Sequence, residues 1–97
     1  MSVIETCRFR LGAGVDEADF LAADHRVQTE LHPHQAGAVR RTTARGDNGD
    51  WLVVQLWRSA DEAAAAAAHA TEHPVGRAFR DLLDEHSMRV ERYETLD

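Results

Sequence analysis

His69-Ala-Thr-Glu72-His73 fits the pattern H-x-x-E-H, which in one class of zinc peptidase sets two imidazoles and a carboxylate around a metal. Two histidines four residues apart do share a helical face. Pro74 follows at once and should break the helix at the second histidine. The pair is therefore read as structural or solvated, with no metal site expected. His69 alone is kept as a candidate acid or base lining a pocket. Asp24 has a stronger physical motive. At about 100° per residue it falls roughly 40° from Phe20 on a helical wheel and close to Val27 and Leu31. A carboxylate on a core-facing stripe must be paired or must face a polar cavity. In the second case it would accept a proton from a phenol or quinol. In the first it would form a salt bridge, for instance to an arginine. Tyr93 completes the catalytic candidates, as a phenol that faces either a pocket or an interface.

Cys7, Trp51, Trp57 and Phe79 are expected to line a pocket or an interface. Cys7 lies mid-strand without an evident base, so it reads as a small buried hydrophobe and not as a nucleophile. Trp51 and Trp57 share one strand face and read as packing groups. Among the other histidines, His32 and His34 flank Pro33 in a loop and are read as solvated. His25 lies off the apolar stripe, and His86 is assigned to a helix end. Arg8, Arg10, Arg40 and Arg41 are expected to pair with carboxylates.

The elements that must hold these groups follow from the hydrophobic pattern. Ser2 to Leu11 alternates as a strand, with Val3, Cys7, Phe9 and Leu11 on one face. Asp16 caps a helix carrying Phe20, Val27 and Leu31. Gly37 to Arg45 is an arginine-rich strand suited to an edge. Asn48-Gly49 marks a hairpin turn, because both positions then accept positive φ. Trp51 to Trp57 is apolar on both faces, so it should be a central strand. Ser59 and Glu62 form a capping box for a second helix, which the Ala63–Ala68 run extends and Thr71 to Pro74 interrupts. Val75, Phe79 and Leu82 line a further helical piece, and Met88 to Leu96 is the last strand.

The order βαββαβ is that of a ferredoxin-like α+β domain filling residues 1–97. Right-handed crossovers predict an antiparallel four-stranded sheet in the order 4-1-3-2 with its helices on one face. The other face would be bare and apolar, which calls for a partner, most simply a second copy. Composition agrees. Sixteen of 97 residues are Ala, and only twenty are Leu, Ile, Val or Phe, so the core of one chain is thin. The net charge of −6 excludes a nucleic-acid backbone as partner. One cysteine excludes an intrachain disulfide framework. The opening residues hold no apolar signal core and no stretch would span a membrane, so a cytoplasmic location is expected.

The opening VIETCRFRLGAGVDEADFLAAD, the hairpin RRTTARGDNGDWLVVQLWRSADEA and the ending MRVERYETL resemble the dimeric α+β barrel superfamily, in particular antibiotic biosynthesis monooxygenase-like domains. The resemblance covers essentially the whole chain and is most specific from Trp51 to Ala64. It implies a homodimer whose two sheets pack face to face, with a pocket for a small apolar or aromatic molecule between each sheet and its helices. It implies a cofactor-independent monooxygenase acting on an aromatic or quinol-type substrate, or else a non-catalytic ligand-binding or stress-related dimer. Haem-degrading relatives carry an Asn on the first strand, a Trp in the second helical region and an iron-ligating His. Here the first position is Cys7 and the second falls within Ala63–Ala68, so the resemblance does not extend to haem cleavage.

Overall fold

The computed structural model describes the whole chain, Met1–Asp97. Four strands, β1 (Val3–Leu11), β2 (Ala38–Arg45), β3 (Trp51–Trp57) and β4 (Leu83–Glu94), form one sheet. Its order is β2-β3-β1-β4, and every neighbouring pair is antiparallel. Three helices complete the fold: α1 (Glu17–Arg26), α2 (Ala60–Glu72) and α3 (Pro74–Asp81). This is the predicted topology, with the most apolar strand, β3, and β1 at its centre. No helix is long and apolar enough to cross a membrane.

Local chemistry sets the boundaries. The Asp16 carboxylate accepts the Ala18 N–H at 2.9 Å and starts α1. Past Arg26 the chain widens into a π-helical turn, Val27–Leu31, and then tightens into a short 3-10 turn, His32–His34. These turns keep Phe20, Val27 and Leu31 buried on one side although the helical period has changed. Asn48 and Gly49 take φ of 44° and 82°, as the hairpin between β2 and β3 requires. In α2, Ser59 Oγ accepts the Glu62 N–H at 3.2 Å and donates to the Glu62 carboxylate at 3.0 Å. The first bond is the serine half of the capping box, and the second ties the glutamate side chain to the serine hydroxyl. At the α2–α3 break, His73 Nδ1 accepts the Val75 N–H at 3.1 Å.

Two expectations need correction. β4 begins at Leu83 and ends at Glu94, and does not run from Met88 to Leu96. Its early start is held by the Gly12 N–H, which donates to Leu82 O at 2.8 Å, and by Leu83 opposite Leu11. Asp84-Glu85-His86-Ser87 looks like a helix end by composition, yet it crosses an irregularity in the β1–β4 register, where Ser87 Oγ accepts the Arg10 N–H at 2.8 Å. His86 is thus an exposed strand residue and caps no helix.

The buried residues lie between the helices and one sheet face. Phe9, Phe20, Trp51, Val53 and Leu83 pack together at one end; Trp57 packs under Ala63 and Ala66 at the other. Only 16 of 97 residues are buried, so the single chain has the thin core its composition implies. Ile4, Leu52, Val54, Leu56 and Tyr93 occupy the alternate strand positions, on the face no helix covers.

Gly76 is fixed by the close approach of α2 and α3. A Cβ at this position would stand 2.1 Å from Ala70 O, a backbone atom that cannot swing aside. Gly76→Ala is expected to cost about 1–3 kcal/mol or more through overpacking, read as a lower urea midpoint at unchanged slope.

Candidate functional site

A cavity of about 220 Å³ lies between the covered sheet face and the helices. Thirteen of its 21 lining residues are hydrophobic, so its walls suit an apolar or aromatic molecule. Its roof on α2 is Ala66, Ala67, Ala70 and Thr71. A run with almost no side-chain bulk therefore leaves space above the sheet.

The floor is not uniformly apolar. Arg41 on β2 lies opposite Gln55 on β3, Gln55 opposite Glu5 on β1, and Glu5 opposite Arg92 on β4. All four line the cavity. They make a single polar row across the whole sheet, one residue per strand, with Cys7, Val53 and Val90 on one side of it. Each end of the row is an ion pair. Arg41 donates to Asp24 at 2.8 Å, to Gln28 at 3.2 Å and to Thr43 at 3.3 Å, while Thr43 Oγ1 donates to Asp24 at 2.8 Å. The Arg41 and Asp24 side chains are only 3% and 15% exposed. At the other end Arg92 Nε donates to Glu5 Oε2 at 2.6 Å. Glu5 is 8% exposed, and its second oxygen makes no hydrogen bond. Neither ion pair uses the Gln55 amide between them.

Of the candidates named from sequence, three of seven stand on the cavity wall. Cys7, Trp57 and Phe79 line it. Burial, and then the Glu5 carboxylate, push the Cys7 thiol above its ordinary pKa, with Arg80 pulling the other way, so the group is a poor nucleophile at neutral pH. Phe79 packs edge-on to Phe9 at 6.0 Å and carries the Arg41 guanidinium 5.5 Å from its ring centre. Trp51 lies in the core instead, 4.7 Å from the Phe20 ring. Asp24 reaches the cavity only through Arg41. His69 is exposed on α2, its ring 5.6 Å from that of His73. Tyr93 lies on the opposite sheet face and donates to Glu91 at 3.0 Å. Asp24, His69 and Tyr93 are thus not brought together. No group of three His, Cys, Asp or Glu side chains clusters in a metal-holding arrangement.

His32 corrects the reading of its loop. It is buried, not solvated, and its ring meets the Trp57 ring edge-on at 5.4 Å. His34 remains exposed. Burial, and then the nearby Arg41 charge, hold His32 below the ordinary histidine value of 6.5, with Gln55 acting weakly in the other direction. The unfolded chain therefore takes up a proton on this ring at a higher pH than the folded chain does. Acidification from 6.5 down to the folded value favours unfolding, and the stability present above 6.5 is lost across that window. Urea titrations at stepped pH should show a shallower acid loss in His32→Phe than in the parent. An equal loss would overturn this assignment.

Glu5, Gln55 and Arg92 went unnoticed in the sequence, although a signal was there. Glu5 stands between Val3 and Cys7 on an apolar strand face, and Gln55 between Val53 and Trp57 on another. Each is a lone polar residue where the alternation demands an apolar one.

A four-stranded antiparallel sheet with its helices on one face defines a class of fold, and solved structures share it. The chain has the ferredoxin-like α+β fold of antibiotic biosynthesis monooxygenase-like structures. One is SnoaB, a cofactor-independent oxygenase from Streptomyces nogalater, similar with a TM-score of 0.79 and 20% identity over 99% of this chain and 94% of that one. A proposed antibiotic biosynthesis monooxygenase from Bordetella bronchiseptica is similar with a TM-score of 0.81 and 16% identity over 99% of this chain and 98% of that one. A counterpart from Caulobacter crescentus gives 0.75 and 14% over 99% and 91%. No family model matches the chain, and no curated protein matches it. At these identities the likeness is one of fold.

Proposed function

We propose that this protein is a cofactor-independent monooxygenase that binds a hydroxylated aromatic or quinol-type molecule in the sheet–helix cavity. The observation that carries the reading is the Glu5 carboxylate, buried in an apolar cavity with one oxygen free. Arg92 fixes its position through the other oxygen. An anthrone illustrates the chemistry. Glu5 takes a proton from the ring CH2 or its enol, leaving a delocalised anion. The anion passes one electron to dioxygen, and the radical pair closes to a C–O bond, giving a hydroperoxide on protonation. Loss of water leaves a carbonyl. One oxygen atom enters the product and the other leaves as water, and the substrate carbon supplies all four electrons. The protein contributes a base, orientation and a dry pocket. The Streptomyces oxygenase of the same fold is also cofactor-independent, which supports the reading.

In this proposal two chains pair through the uncovered sheet faces, and the free thiol of Cys7 suits a reducing cytoplasm. Light scattering at micromolar concentration should give twice the 10.8 kDa chain mass. The functional test is an oxygen electrode with anthrone as substrate. One dioxygen should disappear per anthraquinone formed, faster than buffer autoxidation. Tight anthrone binding without uptake would replace the oxygenase by a binding domain.

A further inference from the structure

Gln55 is the member of the polar row that the fold leaves unpaired. Arg41 on one side of it is held by Asp24 at 2.8 Å, and Glu5 on the other by Arg92 at 2.6 Å. The Gln55 side chain is half-buried, lines the cavity and forms no hydrogen bond of its own. It is also reachable. Trp57 Nε1 and the ring nitrogens of His32 are buried, unpartnered and sealed off, whereas the Gln55 amide is not among the sealed atoms. Its free donor and acceptor therefore face open space in the cavity. Gln55 lies near enough to His32 to favour a protonated ring, which is the effect of an amide oxygen. The amide N–H groups are left for the cavity.

The strand register sets this amide beside the base. Gln55 lies directly opposite Glu5 in the β1–β3 pair, and such partners have Cβ atoms about 4.5–5.5 Å apart. The two side chains are of equal length and rise from the same sheet face into the cavity. Their pairing bears on the anion that Glu5 creates. When an anthrone loses a ring CH2 proton to Glu5, the C–H electron pair moves through the ring and the carbonyl C=O becomes C–O−. The proton stays on the carboxyl group. Charge thus leaves the carbon and gathers on oxygen. A donor fixed in a dry site before the reaction stabilises such an oxyanion without reorganising. Arg41 is only 3% exposed and is committed to Asp24, Gln28 and Thr43, so the free donor beside the base is the amide.

We propose that Gln55 is a catalytic residue of the cavity: its amide N–H donates to the substrate oxygen that becomes an oxyanion as Glu5 removes the proton. The inference rests on the deprotonation proposed above and not on the later reaction with dioxygen. The test is therefore run under argon with the full chain, where only the proton step occurs. Proton NMR in D2O should show the parent protein exchanging the anthrone CH2 protons for deuterium faster than buffer does. Gln55→Met removes the amide and keeps the length of the side chain. It should slow exchange at saturating anthrone by at least about tenfold, with half-saturation moved by only a few-fold. Gln55→Asn keeps the donor on a shorter stem and should fall between the two. A second readout reports contact directly. The carbonyl stretch of bound anthrone should lie at lower frequency in the parent than in Gln55→Met. Equal exchange rates overturn the proposal. So does slower exchange with an unshifted carbonyl stretch, because the amide then acts through Glu5 and not on the substrate. A parent that exchanges no faster than buffer removes the deprotonation reading along with this one. Exchange that depends on Gln55 without oxygen uptake upholds this inference and sinks only the oxygenase.

Discussion

Glu5→Gln is expected to slow anthrone oxidation by at least about a hundredfold, with KM changed by only a few-fold. The substitution is nearly isosteric. A glutamine oxygen can still accept the Arg92 Nε–H that now reaches Glu5 Oε2 at 2.6 Å, so the floor of the cavity should keep its shape. What disappears is the lone pair that removes a proton from the substrate. The loss should therefore sit in kcat and not in binding. Substrates with more acidic protons should suffer less, because they need the base less. Unchanged turnover would move the base elsewhere or show that the substrate ionises in solution. Thermal melting of the same variant separates chemistry from folding, since a nearly unaltered midpoint rules out a simple loss of native protein.

Asp24→Ala should behave in the opposite way, costing stability first. Arg41 is 3% exposed and Asp24 15%, so the pair is held away from water. Removing the carboxylate strands a guanidinium whose remaining partners, Gln28 and Thr43, are neutral. Breaking a buried pair in this manner costs about 3–5 kcal/mol. For a domain of this size each kcal/mol lowers the melting midpoint by roughly 4–8 °C, so a fall of well over ten degrees is expected. Asp24→Asn should lose less, because the amide oxygen can still take the Arg41 and Thr43 donors. Pairing Asp24→Ala with Arg41→Met should recover part of the loss by removing the stranded charge. A midpoint within two degrees of the parent in Asp24→Ala would show that solvent reaches the pair.

These two residues also show how much of the molecule was legible beforehand. Period-two alternation located β1, the arginine-rich run before the Asn48-Gly49 turn located β2, the run apolar on both faces located β3, and the capping residues Asp16 and Ser59 located α1 and α2. The start of β4 was hidden because Asp84-Glu85-His86-Ser87 has the composition of a helix end, and only pairing with β1 makes it a strand. Asp24 stood out because a charge interrupted a helical stripe, and its salt-bridge alternative is what the geometry contains. Glu5 interrupts a strand face in the same manner, but its partner Arg92 is 87 positions away. No local pattern joins the two; the β1–β4 register does. His69 was unplaceable because the Ala63–Ala68 run has no large side chain to mark which side of α2 faces the sheet. Tyr93 was placed correctly on β4, but its face depends on a strand phase that Arg92, next to it, settles.

The row of Arg41, Gln55, Glu5 and Arg92 has a meaning for assembly of the sheet itself. Successive strand residues point to opposite faces, so slipping any one strand by a single position would carry its member of the row to the other side. A slip of β1 would separate Glu5 from Arg92 and place its carboxylate among Leu52, Val54 and Leu56 on the uncovered face. Mispaired sheets are thus penalised by the same four side chains that floor the cavity. Exchanging these residues to alter ligand preference would also weaken the chain's instruction for strand alignment. Ala67 on α2 is exposed and carries no such duty, which makes that part of the roof, and not the floor, the place to reshape this pocket at least risk to the fold.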